Sequence, residues 1–197
     1  MLILKRLFDV TASLLLMALF SWLFILIALM IRLDSKGSVF FVQSRVGRHG
    51  KSFPMLKFRT MYDGTERKWQ APSKEGALSY KFQDQGDDRI TPLGRILRRS
   101  SLDELPQLWN VLRGQMSLVG PRPEIPEMVA LYPDYAHARH RMRPGITGLA
   151  QVMGRGDLTL AETLHWDMEY CKNWTIGLDF KIIWKTLSAV LRRRGAY

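Results

Sequence analysis

Between Val10 and Ile31 the sequence VTASLLLMALFSWLFILIALMI carries no charged side chain over 22 positions. That stretch limits the fold more than any other feature, because it has to leave water for lipid or for a core. As one helix it would be about 33 Å long at about 1.5 Å per residue, enough to match a bilayer's hydrocarbon thickness. It is longer than the apolar part of a cleaved signal peptide, and no small-x-small cleavage pattern follows it. Lys5 and Arg6 precede it, and Arg32, Lys36, Arg45, Arg48 and Lys51 follow it. Positive charge at both ends predicts that both lie on the cytoplasmic side. The Ser21 hydroxyl supplies a bend by bonding the carbonyl one turn back. The expected arrangement is a membrane-inserted helix within residues 1–36, entering and leaving on one face, and one surface-lying functional unit over 37–197.

The 197 residues leave room for one domain with a core. A formal net charge of +11 points to an anionic partner: nucleic acid, an acidic membrane surface or a phosphorylated substrate. The apolar segment favours membrane lipids and phosphorylated substrates, and nucleic acid is not expected as a partner. The single cysteine, Cys171, excludes an intramolecular disulfide and fits a reducing compartment. Four histidines and one cysteine make a structural zinc site improbable.

After the apolar segment, SVFFVQSRVGRHGKSFPMLKFRTM alternates around a Gly47 to Gly50 turn and predicts a short hairpin or an extended surface strand. Residues 63–88 are polar and aperiodic, a long surface loop. Leu93, Ile96 and Leu97 share one helical face, with Arg95, Arg98 and Arg99 on the other. Leu105, Leu108, Trp109 and Leu112 follow helical spacing, which predicts a helix from near Asp103 with Pro106 in its first turn. Thr159 and Glu162 make a capping-box pattern for a helix reaching about Asn173. Phe180, Ile183, Trp184, Leu187, Val190 and Leu191 form a last stripe opposite Lys181, Lys185, Arg192 and Arg193. The predicted class is mixed α/β but mainly helical, with surface-lying amphipathic helices and a small sheet or hairpin.

Two adjacent acids, Asp103 and Glu104, stand between a basic turn and this helix pattern. Taken alone, such a pair is a helix cap. Arg98, Arg122 between two prolines and Arg143 at the head of a Gly-rich loop change that weighting, since forked guanidiniums near a helix start make a diphosphate site. A carboxylate held there can attack phosphorus, and its neighbour can hold a divalent cation. Lys57 and Arg59 in KFRTM reach either a phosphate or lipid headgroups. Gly145 and Gly148 read as turn residues before phosphate-nest residues. Asp167 lies on the apolar face of its helix, where a carboxylate pairs with an arginine to position it.

LRRSSLDELPQLWNVLRGQMSLVGPRPE, with SKGSVFFVQSRVGRHG, KFRTM, RITPLG, RPGITGLAQVMGRG and NWTIGLDFKIIWKT, resembles the bacterial sugar transferases called monotopic phosphoglycosyl transferases. The likeness runs from about Lys5 to Leu191, and the chain is similar to the small members that consist of the catalytic core. The resemblance implies that Asp103 attacks the sugar-side phosphate of a UDP-sugar and expels UMP. Polyprenyl (undecaprenyl) phosphate then takes the phosphosugar. It also implies that Glu104 is a ligand of Mg²⁺, with Mn²⁺ as a substitute, that Arg98 holds phosphate, and that the enzyme sits on the cytoplasmic face of the bacterial inner membrane. The sugar and the oligomeric state are left open. Ser21-Trp22 stands where members carry Ser-Pro, Ser38 where they favour proline, and Met153 where asparagine is common. Two other classes remain: a metal-dependent glycosyltransferase that releases UDP, with Asp87-Asp88 as its metal motif, and a basic membrane-anchored scaffold without turnover.

Overall fold

The computed structural model describes residues 2–65, 72–74, 76–81, 87–154 and 157–191, with side chains to 189 in the last helix. The apolar stretch folds as two helices, α1 (Leu2–Leu19) and α2 (Ser21–Asp34), bent by 62° at Phe20. The Ser21 hydroxyl donates to the Ala18 carbonyl at 2.9 Å, the local bond expected of it. Among the described residues no single helix is long and apolar enough to cross a membrane; only the bent pair together has the length and composition.

The reading of Lys5 and Arg6 as charges that flank the segment is corrected, and the reason is polar. Lys5, Asp9 and Ser13 recur every four residues, so they share one helical face, and all three are buried. Lys5 Nζ lies 2.6 Å from Asp179 Oδ2. Arg6 donates to the carbonyls of Val111 and Leu112 at 2.6 and 2.9 Å. Asp9 accepts from Ser117 Oγ at 2.8 Å and from the Leu118 N–H at 3.1 Å. Lys5 and Arg6 therefore engage the protein and are not simply flanking charges at a membrane. The other face, with Leu7, Leu14 and Leu15, is exposed, as are Trp22, Ile25 and Leu29 of α2. The far end of α2 is anchored by Ile27 and Ile31 in a core with Phe58, Leu93 and Leu97.

Strands β1 (Phe40–Val46) and β2 (Ser52–Phe58) form the expected hairpin, antiparallel from Phe40 opposite Phe58 to Val46 opposite Ser52. Helix α3 (Pro92–Ser100) starts under Thr91, whose hydroxyl accepts from the Gly94 N–H at 2.9 Å, with Pro92 in its first turn. Gly94 lets α3 seat on the chain after β2: a Cβ there would lie 2.1 Å from the Thr60 carbonyl oxygen. Leu93 and Leu97 are buried, whereas Ile96 from the same predicted face is exposed. Helix α4 (Gln107–Leu112) starts four residues after Asp103, and its Trp109 is exposed, contrary to the apolar face expected for it.

β3 (Ser117–Val119) leads through Pro121 to Pro123 into α5 (Pro126–Val129), and β4 (Gly145–Thr147) pairs parallel with β3. Gly145 packs so tightly that an added Cβ would lie 2.1 Å from the Gly120 nitrogen, so its role is close packing and not a plain turn. Helices α6 (Leu149–Met153), α7 (Leu160–Lys172) and α8 (Ile176–Leu191) complete the chain. The capping box of Thr159 and Glu162 is present and α7 ends at Asn173, as expected. In α8 Asp179 and Ile182 are buried while Phe180, Trp184 and Leu187 are exposed as an apolar stripe. Arg192 and Arg193, and residues 66–71, 75 and 82–86 of the expected surface loop, lie outside the described residues. The class is mainly helical, with two two-stranded sheets among the described residues.

Candidate active site

Asp103 is not a helix cap. Helix α3 ends at Ser101, whose φ of 57° turns the chain, and Leu102–Glu104 form one 3-10 turn before Pro106 opens α4. The Pro106 position at the head of α4 receives no capping bond from a side chain. The turn carries Asp103 inward, where its residue is 7 % exposed, and leaves Glu104 half-buried beside it.

β2 delivers the facing cation. Asn110 of α4 accepts from the Leu56 N–H at 3.0 Å and donates to the Pro54 carbonyl at 2.7 Å, completing the outer edge of that strand. Lys57, the next residue, then places Nζ 2.9 Å from Glu104 Oε1 and 3.8 Å from Asp103 Oδ2. Arg98 is fixed on α3 by donating from Nε to Thr60 Oγ1 at 2.9 Å.

These surroundings drive the two acids apart. Burial pushes the Asp103 carboxyl up to about 6, against Lys57, while Glu104 adds to the rise and Arg98 and Arg122 oppose it. Burial acts on Glu104 in the same sense, but Lys57, Arg122 and Arg45 outweigh it and hold that carboxyl below its ordinary range. The two adjacent acids thus divide into one carboxyl held below its ordinary range and one pushed above it.

Arg122 is exposed and its loop is held from behind. The Arg139 guanidinium donates to the Arg122 carbonyl and, at 2.6 Å, to the Tyr132 hydroxyl. Asp167, fully buried on α7, lies 2.5 Å from Arg139, which is the arginine pairing expected for it. The structure therefore brings together Asp103, Glu104, Lys57, Arg98 and Arg122. It does not bring in the other two arginines. Arg59 donates to the carbonyls of Ile31 and Ser35 at 3.3 and 2.6 Å, at the end of α2, while Arg143 donates to the Gly114 carbonyl at 2.9 Å with Arg6 and Arg48 as charged neighbours.

Sequence reasoning missed three supports. Arg45 bonds Glu124 at 3.4 Å and adds positive charge near Glu104; in the sequence it stands as a charge flanking the apolar segment, and only the period-two alternation of β1 hints that it shares a face with Phe41 and Gln43. Glu124 and Arg139 were not singled out at all.

The description "Bacterial sugar transferase" fits a family model that matches residues 1–193. The chain belongs to the bacterial sugar transferase family. It is 42 % identical over 198 residues to the exopolysaccharide production protein ExoY of Rhizobium meliloti, covering 98 % of this chain and 88 % of that protein. It is 44 % identical over 202 residues to the UDP-glucose:undecaprenyl-phosphate glucose-1-phosphate transferase of Caulobacter vibrioides, covering 98 % and 72 %. It is also 41 % identical over 199 residues to the undecaprenyl-phosphate galactose phosphotransferase of Salmonella typhimurium, covering 98 % of this chain and 42 % of that one. As a member of this family the chain is an enzyme of the transferase class, and the acid pair is its candidate centre.

Proposed function

We propose that this bacterial sugar transferase moves a sugar 1-phosphate from a UDP-sugar to polyprenyl phosphate, releasing UMP and forming a polyprenyl-diphosphate-linked sugar. The observation that carries the reading is a buried carboxylate, Asp103, beside ionised Glu104, faced by Lys57 and with Arg98 and Arg122 as its charged neighbours. The two relatives that act, by their names, on undecaprenyl phosphate support the phosphoglycosyl transferase class. Asp103 attacks the sugar-side phosphorus, the bond to the UMP oxygen breaks, and the phosphosugar stays on the carboxylate. An oxygen of polyprenyl phosphate then attacks the same phosphorus and frees Asp103. Lys57, Arg98 and Arg122 offset the negative charge of these crowded phosphates. Intact-mass measurement after adding UDP-sugars without lipid acceptor should show one phosphosugar adduct and an equivalent of UMP. Release of UDP would support the glycosyltransferase class, and no turnover the scaffold. The Asp87 carboxylate is already occupied by Arg89, at 2.8 and 3.0 Å from Nε, which argues against Asp87-Asp88 as a metal motif.

Mg²⁺, with Mn²⁺ as a substitute, suits the donor set: two adjacent carboxylates converge on a cation, the Lys57 ammonium, and supply the hard oxygens such an ion takes. Among the described residues no group of three or more Asp, Glu, His or Cys is placed to hold a metal, so substrate oxygens would complete the shell. Glu104 would be the principal protein ligand, and the bound ion would screen the phosphate oxygens. EDTA should stop transfer and added Mg²⁺ restore it. Glu104→Gln should slow transfer by roughly 10²-fold to 10³-fold and raise the Mg²⁺ concentration needed, measured by UMP release. Unchanged metal dependence would move the ligand elsewhere.

The raised Asp103 carboxyl sets an acid limb. Attack needs the ionised form, so kcat/KM should fall through pH about 6, by roughly tenfold per unit below it. A profile flat from pH 7 to pH 5 would exclude Asp103 as the group that must be ionised.

The division into a membrane-inserted segment over 1–36 and a surface-lying catalytic unit over 37–197 is part of the same proposal. Both ends of the bent pair are tied to one body, α1 through Lys5, Arg6 and Asp9 and α2 through Ile27, Ile31 and the Arg59 bonds. This supports entry and exit on one face, the cytoplasmic one, with Leu14, Leu15, Trp22 and Ile25 in lipid. With Cys171 replaced, single cysteines at Ile3 and Ser73 should both resist an impermeant thiol reagent in intact cells. Labelling of the Ile3 site alone would mean a true crossing.

A further inference from the structure

Arg143, expected at the diphosphate site, belongs to a different cluster. A cleft beside the first turns of α1 is lined by Leu2, Asp9, Arg48, Arg141 and Arg143, among others. Its two other charges are already engaged: Lys5 lies 2.6 Å from Asp179, and Asp9 accepts from Ser117 and Leu118. The arginines are anchored only by neutral carbonyls. Arg48 Nε donates to the Arg141 carbonyl at 3.0 Å, Arg143 Nε to Gly114 at 2.9 Å, and Arg6 to Val111 and Leu112. Among the described residues no carboxylate lies within ion-pair distance of Arg6, Arg48, Arg141 or Arg143. Asp9 is a counter-charge to Arg143, but Arg6 and Arg48 act on that guanidinium in the opposite sense and more strongly, so the like charges repel. The cluster gains from an anion, and the anchored Nε edges of Arg48 and Arg143 leave their terminal N–H groups to form a fork for one.

We infer that this cleft is a second anion site, separate from Asp103, that takes the phosphate group of an anionic phospholipid. Phosphate is the anion that matches paired guanidinium forks. The lipid source follows from the helix that walls the cleft: Leu2 lines it and is 48 % exposed, and Ile3, Leu4 and Leu7 on the same turns of α1 are exposed at 87, 57 and 62 %, so the cleft lies at the edge of the apolar surface of the bent helix pair. This source rests on the proposed membrane insertion of that pair; the anion site itself rests on the arginines. Bound there, a headgroup would tie the start of α1 to β3 and to the turn after α4, and fix the depth at which the catalytic unit sits.

The test is native mass spectrometry of the full chain in detergent, titrated with phosphatidylglycerol or phosphatidylcholine, with and without excess inorganic phosphate. Arg141 is exposed and its side chain anchors nothing among the described residues, so Arg141→Glu leaves the fold intact; Lys172→Glu makes the same charge change on an exposed site at the end of α7. Wild type should retain one phosphatidylglycerol, and Arg141→Glu should weaken retention about tenfold while Lys172→Glu changes it less than about twofold. Equal losses in both variants would reduce the effect to general charge attraction and overturn the site. Equal retention by Arg141→Glu and wild type would overturn it too. Complete displacement by inorganic phosphate would overturn the lipid source and leave a soluble phosphate as the occupant. Asp103→Asn should retain lipid like wild type, which separates this result from the fate of the proposed reaction.

Discussion

Transfer should fall on the order of 10⁴-fold or more when Asp103 becomes asparagine, because a nucleophile removed from a covalent route leaves only binding and electrostatics. The same change should not unfold the protein. Asn keeps the size of the side chain, and the folded state already resists the charge it removes: burial holds the Asp103 carboxyl at about 6, above its usual value. An acid with a raised folded-state pKa costs stability as pH climbs from its unfolded value toward the folded one, and that cost persists at neutral pH. Asp103→Asn removes the charge, so its Tm at neutral pH should equal or exceed that of wild type. Thermal unfolding and UMP release, measured on one preparation, check both halves. Wild-type-like turnover would remove Asp103 from the reaction, and a collapsed Tm would make the loss of activity a folding effect.

Much of this site could be read in the sequence, because its signals are local. Asp103 and Glu104 stand out as adjacent acids in a +11 chain, and Arg98 sits on a basic turn five residues away. The Thr159 to Glu162 box likewise depends only on neighbours along the chain, and it appears as expected. Periodicity misled where tertiary context prevailed. Trp109 fits the apolar spacing from Leu105, yet α4 turns Gln107, Leu108, Asn110 and Val111 inward and Trp109 outward, and Asn110 bonds the edge of β2. The start of α1 was obscured for a related reason. Lys5, Arg6 and Asp9 look like the charged border of an apolar segment, and their partners Asp179, Val111 and Ser117 lie more than a hundred residues away. Arg59 and Arg143 carried the right charge in the right motifs; where their guanidiniums point is settled by carbonyls of α2 and of the turn after α4, which no spacing encodes.

The buried ion pair behind the Arg122 loop should contribute to stability. Arg139 and Asp167 have side chains 2 % and 0 % exposed, so each charge depends on the other for compensation. Asp167→Asn should still lower stability, since it strands a buried guanidinium, but by less than the about 3–5 kcal/mol of a broken buried pair, because burial already pushes the Asp167 carboxyl up to about 6. Melting of the purified protein should show the loss as a lower Tm. Stability alone does not reveal what the pair does for the site, because Arg139 also donates to the Arg122 carbonyl and to Tyr132. The double variant Arg139→Met with Asp167→Leu separates the roles. It removes both buried charges together and fills the space with apolar atoms, so most of the lost stability should return. The donor to Arg122 is still gone, the PRP loop can shift by about an ångström, and kcat/KM should stay depressed by roughly 10²-fold. If the double variant regains both stability and activity, the pair is only a buried support, and the position of Arg122 is set by Pro121 and Pro123 alone.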